Sequence, residues 1–467
     1  VAPVPVMECN KAESHVNLNR ERQWYPAQDR SVWQPGTFTV GSWNVCADYL
    51  HCSPWRPAPS FLHQWSHRFP AMCAEIDRRQ PQILCLQEIQ ACRVPLEHAS
   101  DACHNSNLRS NQNSTNRNRN HGHSHDNHAT AWSEMLRAQG YHSLLGLKCS
   151  EHHRSCGSGS NKRKQPYCTG VLLAWKHAAF SAVTTKLLYL PTVLEDYVRE
   201  YCQGTSALND LLTYSKDAMG FHHFPLVMLQ QKGGNHNHNH NSHDKNDDDS
   251  SDDSSVRQVA VLGFHGVSCN SHNVHRRSQL RVLHLAALLW WIERTWHCAR
   301  DNIPLIVAGD FNDPYPQGRC PQLLRGCSCP LPLADHTSWS LQLHATNQSS
   351  SSSPASSSSE NSAIWHCAYA EPAAAHLHTT VFASDDQFLG ILDAIWHQGP
   401  QLSCISVLGE SQLQAAIIEE CGKQEGEAGQ QWRGHFGWPN RYRFSDHLFL
   451  MAQYQWQTAI DAEDKRH

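Results

Sequence analysis

Six short polar groups punctuate this chain, and each stands at the end of an apolar, strand-like run: Trp43-Asn44, Gln87-Glu88, His265, Gly309-Asp310-Phe311-Asn312, Leu392-Asp393 and Ser445-Asp446-His447. No other feature constrains the fold as tightly. Acids, amides and histidines placed at the ends of separate buried strands are useful only if the strand ends share one edge. Layered α/β architectures provide that edge.

The runs between these groups alternate in period. Phe38 to Val45 follows a Pro-Gly turn signal and reads as a strand. Leu62, Trp65, Phe69, Met72 and Ile76 recur at helical spacing, with Pro70 weakening the first turn and Pro81 stopping the helix. Ile83-Leu84-Cys85-Leu86 is a compact buried strand, and Trp132 to Gln139 a helix capped by Gly140. Tyr167 to Trp175, Phe224 to Gln230, Val259 to Phe264 and Ile303 to Ala308 read as strands, with a long amphipathic helix from Ser278 to His297. Phe388 to Trp396 and His447 to Trp456 complete the set. Helices between strands give an α/β class, and the strand–strand successions point to two packed sheets flanked by helices.

Three segments interrupt this pattern. Residues 104–130 are rich in Asn, His and Ser; 233–255 begin His/Asn-rich and end acidic; 347–362 are almost all serine. They lack the apolar content that offsets chain ordering and read as disordered surface insertions. The rest of the 467 residues suits one large domain over 38–456, with an extension at 1–37 and a tail at 457–467. The net charge of −5 gives no global basic field. Arg276-Arg277 and Lys162-Arg163-Lys164 are local basic patches that read equally as solvated loops or as a face for a polyanion. The 19 cysteines are odd in number and scattered, which favours buried free thiols over a disulfide framework. Cys149-x2-His152-His153-x2-Cys156 has zinc-like spacing, but its Ser/Gly/Lys surroundings read as a loop. No apolar run approaches the roughly 18 residues that span a bilayer, so no membrane partner is expected. The expected location is intracellular and cytoplasmic, although a chain beginning at Val1 leaves a targeting segment open.

The polar groups have a common chemistry. An unpaired carboxylate at the end of a buried strand is costly, and a magnesium ion near Glu88 removes that cost; such an ion takes few protein oxygens, several waters and a phosphate. Asn44 adds an amide for a metal-bound water or phosphate oxygen. Asp310 and Asn312 straddle Phe311, so an acid and an amide project together and can orient and deprotonate a water for attack on phosphorus. His447, with Asp446 and Asp393, makes a histidine–carboxylate arrangement. A protonated His447 would stabilise charge on the transition state. His265 on its own is more often a satisfied core histidine, and only its place in the series makes it a candidate.

The ordered set resembles the endonuclease/exonuclease/phosphatase superfamily, and within it the carbon-catabolite-repression-type deadenylases with their Angel and nocturnin relatives. The strings that carry the likeness are Ser42-Trp43-Asn44-Val45, Pro81-Gln82-Ile83-Leu84-Cys85-Leu86-Gln87-Glu88, Arg276-Arg277-Ser278-Gln279-Leu280-Arg281, Gly309-Asp310-Phe311-Asn312-Asp313-Pro314, Gly390-Ile391-Leu392-Asp393 and Ser445-Asp446-His447-Leu448. The resemblance implies a four-layered α/β sandwich. It implies that Glu88 binds Mg²⁺ (with Mn²⁺ as a substitute), that Asn44 stands close by and that Asp446 lies near the metal. Asp310 and Asn312 would position the water and scissile phosphate. His447, oriented by Asp393, would contact that phosphate, with His265 as a second histidine on its side. Asn44, His265, Asn312 and Arg281 would bind substrate. Three segments depart from the family pattern: Cys168-Thr169-Gly170 lacks an acid, His222-His223-Phe224-Pro225 lacks an amide, and Phe264-His265-Gly266 replaces Thr-His-Leu.

The implied activity is a Mg²⁺-dependent 3′-exoribonuclease of the poly(A)-deadenylase type, without the leucine-rich repeats that recruit some relatives. The departures keep open a nucleotide 2′-phosphatase or cyclic-phosphate phosphatase using the same metal site. A non-catalytic RNA-binding scaffold is the reading from a different class.

Overall fold

The computed structural model describes residues 24–25, 36–47, 64–92, 128–149, 167–201, 212–213, 215, 221–232, 256–268, 274–327, 329–332, 338–341, 365–369, 380–381, 389–409, 445 and 447–457. Eleven strands carry the architecture: β1 Thr37–Asn44, β2 Ile83–Gln87, β3 Tyr141–Cys149, β4 Tyr167–Lys176, β5 Phe180–Tyr189, β6 Phe221–Gln231, β7 Gln258–His265, β8 Leu305–Asp310, β9 Asp393–Gln398, β10 Leu402–Leu408 and β11 Leu450–Trp456. Four helices flank them: α1 Trp65–Arg79, α2 His128–Ala138, α3 Leu190–Tyr201 and α4 Val274–Trp296.

The strands form one curled mixed sheet in the order β10-β11-β1-β2-β4-β3-β6-β7-β8-β9, with β5 alongside β6. It has two arms. Strand β3 meets β6 through the pairs Lys148↔His222 and Cys149↔Phe221, and that short seam is the hinge of the curl. Each arm contains one parallel pair, β1 with β2 and β7 with β8, each connected through a helix.

Buried side chains explain why the sequence runs are apolar throughout. Phe38, Val40, Ile83 and Cys85 of one arm and Val259, Val261, Ile306 and Ala308 of the other share one cluster between the arms. The alternate residues face outward: Leu84 and Leu86 pack with Met72, Ile76 and Trp132 of α1 and α2. Leu262, Phe264 and Val307 pack with Leu280, Leu283 and Leu288 of α4. A strand covered on both faces shows no polar alternation.

Several boundaries differ from expectation. Trp24–Tyr25, within the expected extension, pairs with Leu408 and Val407 of β10 and so belongs to the sheet edge. The first insertion ends earlier than 130, because α2 begins at His128, whose ring stacks on Trp65 at 3.8 Å. The expected strand over 388–396 splits into Leu389–Gly390 and β9, and the C-terminal strand begins at Leu450 rather than His447. Pro70 is accommodated inside α1, which ends at Gln80 in the left-handed region, just before Pro81. Strands β3, β5 and β10 and helix α3 were not anticipated. Residues 104–127, 233–255, 347–362 and 458–467, and all but Cys149 of the zinc-like string, lie outside the described residues. Among those described, no helix is long and apolar enough to cross a membrane.

Candidate active site

The two parallel pairs end at the same level and face each other. In one arm Asn44 lies beside Gln87, with Glu88 next in the chain. In the other, His265, Asp310 and Asp393 occupy one cross-strand row, since Asp310 is the register partner of both. Neighbours in such a row project to the same face.

Side chains close the gap between the arms. The Asn44 amide Nδ2 donates to Glu88 Oε1 at 3.1 Å and to Asp310 Oδ2 at 3.0 Å. The other Glu88 oxygen accepts from the Ala47 N–H at 3.1 Å. His265 Nε2 lies 3.9 Å from Glu88 Oε1 and 3.8 Å from Asp310 Oδ2. His447 Nε2 is also 3.8 Å from Asp310 Oδ2, while its Nδ1–H donates to Asp393 Oδ2 at 2.9 Å. The Asn312 side-chain amide donates to Asp310 Oδ2 at 3.2 Å and to the Gly266 carbonyl at 3.1 Å. Asn44, Glu88, His265, Asp310, Asn312, Asp393 and His447 therefore converge, drawn from five strand ends and the block before β11.

The backbone at these ends is built to a pattern. Asn44 Oδ1 accepts from the Cys46 N–H at 2.9 Å, and Asp310 Oδ1 from the Asn312 N–H at 2.7 Å. Both are side-chain turns spanning two residues. Cys46, Glu88 and Asn312 have φ of 52°, 60° and 51°. Left-handed backbone costs about 1–2 kcal/mol for a residue with a Cβ, and three such positions gather at this one site. Gly309 and Gly266 permit the close approach of the loops. A Cβ on Gly309 would lie 1.8 Å from the Phe264 carbonyl oxygen, and one on Gly266 2.2 Å from that of Phe311.

Burial sets the electrostatics. Asp310 is 1% exposed. Desolvation, with the Asp393 charge adding, raises its carboxyl to about 7 against the opposing pull of His447, the Asn312 N–H and the Asn44 amide. Desolvation also drives His265 well below the ordinary histidine value, helped by the charges of Lys148 and His447. Glu88 is the more open acid, its side chain 16% exposed.

The donor set fits a divalent cation. Two carboxylates from different arms share the Asn44 amide, one of them open to water, which suits a hard ion that keeps several of its waters. Asp310, Asp393 and His447 also bring potential ligand atoms within 4.8 Å of one another. Both polar atoms of the Asn44 side chain are engaged within the protein, so it braces the carboxylates.

Two expected residues stand elsewhere. Arg281 is 1% exposed and locked inside: its Nε donates to the Val267 carbonyl at 2.7 Å and its Nη1 to Asp313 Oδ1 at 3.1 Å. The substrate contact expected of it is thus corrected to an internal brace on the loop after β8. Asp446 lies outside the described residues. Sequence reading gave Ser445 no role beyond its motif and missed Arg68. Ser445 Oγ donates to the Asn44 carbonyl at 2.6 Å and accepts from the His447 N–H at 3.2 Å, fastening the C-terminal block to β1. Arg68 Nη2 donates to the carbonyls of Val45 and Cys46. Its signal was an arginine inside the apolar stripe of Trp65, Met72 and Ile76.

No family model and no curated protein matches the chain. Solved structures do. ANGEL2, described as a 2′,3′-cyclic phosphatase and bound to adenosine-2′,3′-vanadate, superposes with a TM-score of 0.53 at 17% identity, covering 94% of this chain and 99% of that one. The human Nocturnin catalytic domain with bound sulfate has a TM-score of 0.44 at 15% identity, covering 94% and 99%. An endonuclease/exonuclease/phosphatase from Beutenbergia cavernae has 0.43 at 12%, covering 91% and 73%. The ANGEL2 likeness is one of fold, and it agrees with the superfamily resemblance read from the motifs.

Proposed function

We propose that this chain, which shares the fold of ANGEL2, is a Mg²⁺-dependent hydrolase of phosphate esters, acting on RNA as a 3′-exoribonuclease of the poly(A)-deadenylase type. The reading includes a four-layered sandwich, supported by one apolar cluster between the arms and one under each helical flank. It also includes a cytoplasmic location. The observation that carries it is the Asn44 amide held between the carboxylates of Glu88 and Asp310, which marks a point of convergence for the two arms.

Glu88, with Asp310 beside it, would hold the cation, and the unplaced Asp446 would lie near it. When bound, the ion supplies positive charge for the phosphate and the departing oxygen. Asp310 is placed to take a proton from the attacking water, its Oδ2 facing the Asn44 and Asn312 amides and the Nε2 atoms of His265 and His447. The N–H groups of Asn312 and Asn44 fix which Asp310 lone pairs remain available. His447 keeps Nε2 toward Asp310 because Asp393 holds Nδ1–H, so Nε2 is presented to the phosphate oxygens. His265, neutral through burial, offers a hydrogen bond on the same side.

A second reading, a nucleotide 2′-phosphatase or cyclic-phosphate phosphatase at the same centre, is favoured by one observation. The mid-domain segment that departs from the deadenylase pattern lies in the seam between the arms, where His222 pairs with Lys148. The two readings separate in one assay of purified protein with and without Mg²⁺. Nucleotides released from the 3′ end of oligo(A) support the first; opening of adenosine 2′,3′-cyclic phosphate, or phosphate release from a 2′-phosphate, without oligo(A) shortening supports the second. Glu88→Ala should abolish either activity while leaving the fold intact. Tight RNA binding with no cleavage of any ester would instead make the chain a scaffold.

A further inference from the structure

Strands β3 and β6 pair only at Lys148↔His222 and Cys149↔Phe221. Beyond that seam a cavity of about 360 Å³ opens between the start of β3 and the end of β6, lined by His142, Trp175, His177, Phe180 and Lys232 among others. His142 stands opposite Trp175, which stands opposite Ile83, so the cavity is level with the start of β2. The hydrolytic centre lies at the other end of that strand, where Gln87 pairs with Asn44, roughly 13 Å along it. Two exposed histidines meet at this far end, and the chemistry above uses neither. The rings of His142 and His177 have centroids 5.8 Å apart and planes at 77°. His177 is held in place. Its Nδ1 lies 2.7 Å from the Gly140 carbonyl oxygen, which can only accept, so Nδ1 carries the proton and Nε2 keeps a free lone pair. Gly140 is left-handed with φ of 79°, and a Cβ there would press within 3.2 Å of the His177 ring. No hydrogen bond to the described residues engages the His142 ring.

We propose that His142 and His177 together bind a transition-metal ion of the zinc type, at a site separate from the hydrolytic centre. Imidazoles that share one such ion, each at about 2 Å, place their ring centres about 5–6 Å apart, and the two rings already stand at that spacing. A ligating histidine ordinarily donates its second N–H to a carbonyl or carboxylate, as His177 does to Gly140. Both side chains are exposed, so an ion reaches them without opening the fold. Lys232 is the one ammonium on the cavity wall, and it donates to the His177 carbonyl at 2.5 Å, which ties it to the backbone. The remaining positions on the ion face the cavity and are left to water, with the Ser181 and Thr185 hydroxyls on the opposite wall to meet it. Imidazole nitrogen favours zinc, copper and nickel, whereas Mg²⁺ and Mn²⁺ favour the carboxylates of Glu88 and Asp310, so the two sites sort their ions by donor type. This inference does not depend on the hydrolase reading.

The test must resolve these two histidines from the others in the chain, among them His236, His238, His240 and His243 shortly after Lys232. Carbethoxylation of the full chain by diethyl pyrocarbonate, followed by peptide mass spectrometry, reads each histidine separately. Zn²⁺ alone should protect His142 and His177 in step, with half-protection at one shared concentration and labelling lowered about tenfold at ten times that concentration. His177→Gln should abolish the protection of His142, and His142→Gln that of His177. Glu88→Gln should leave both protected, whereas protection lost there would assign the ion to the hydrolytic centre. Equal labelling with and without Zn²⁺, or protection of one histidine that survives replacement of the other, overturns the site. If either ring resists the reagent without Zn²⁺, the number of ions bound in equilibrium dialysis decides. It should fall by one in each of His142→Gln and His177→Gln, and an unchanged number removes the site.

Discussion

The ends of β1 and β8 are built alike and differ in one terminal atom. Each closes with a side-chain oxygen, of Asn44 or Asp310, accepting from the N–H two residues on, and that residue is left-handed. Each loop is gripped by a buried arginine, Arg68 at Val45 and Cys46, Arg281 at Asp313. What remains is an amide nitrogen on one side and a carboxylate oxygen on the other, and they bond to each other at 3.0 Å. The same local device therefore serves two purposes. In one arm it orients a neutral donor, in the other a buried acid.

Breaking the acidic half should have the largest effect. Asp310→Asn keeps the shape and the turn but removes the base, and kcat should fall about 10²–10⁴-fold with the melting temperature nearly unchanged. A fall below threefold would assign the base elsewhere. The arginine braces should differ in strength. Arg281→Leu strands a buried carboxylate and should cost about 3–5 kcal/mol in denaturant unfolding. Arg68→Leu, which frees two carbonyls, should cost less, about 1–3 kcal/mol. An increase in KM from Arg281→Leu with stability intact would return that residue to the substrate.

Asn44→Asp would make the two halves alike, setting three carboxylates around one point. Turnover should drop about 100-fold, as like charges disturb the acid and the donor is lost. Full activity would show that the amide is dispensable. The smallest effect lies away from both turns. Burial lowers His284 and His397 to about 3, so both are neutral in the folded protein. Unfolding releases them to an ordinary value near 6.5, and the unfolded chain then binds more protons between about 6.5 and 3. Stability should be full above that window and decline as pH falls through it. A melting temperature flat across this range, or rising toward acid, would contradict their neutral burial.

The same contrast explains what could be read in advance. Strands β1, β2, β7 and β8 are covered on both faces, so their runs are apolar and their polar ends stand out. Strand β5 was missed because Ser181 to Lys186 is exposed and reads as loop. Helix α3 was missed because Pro191 sits in its first turn. Motif order located Asn44, Glu88, Asp310 and His447, but a motif does not say which way a helical side chain turns. Arg281 is buried on the inner face of α4, and its partner Asp313 is remote in sequence. His222 was seen only as a departure from a pattern, because its place opposite Lys148 becomes visible only once β3 lies beside β6.

That the two arms meet to hold one divalent cation can be tested without any substrate. Titrating Mn²⁺ into the protein and following the free-ion signal by electron paramagnetic resonance measures that site alone. The protein should remove Mn²⁺ from solution, and Glu88→Gln should weaken this about tenfold or more, at least the loss typical of an outer-shell partner. Mn²⁺ left free by the unaltered protein, or taken up equally by Glu88→Gln, would contradict it.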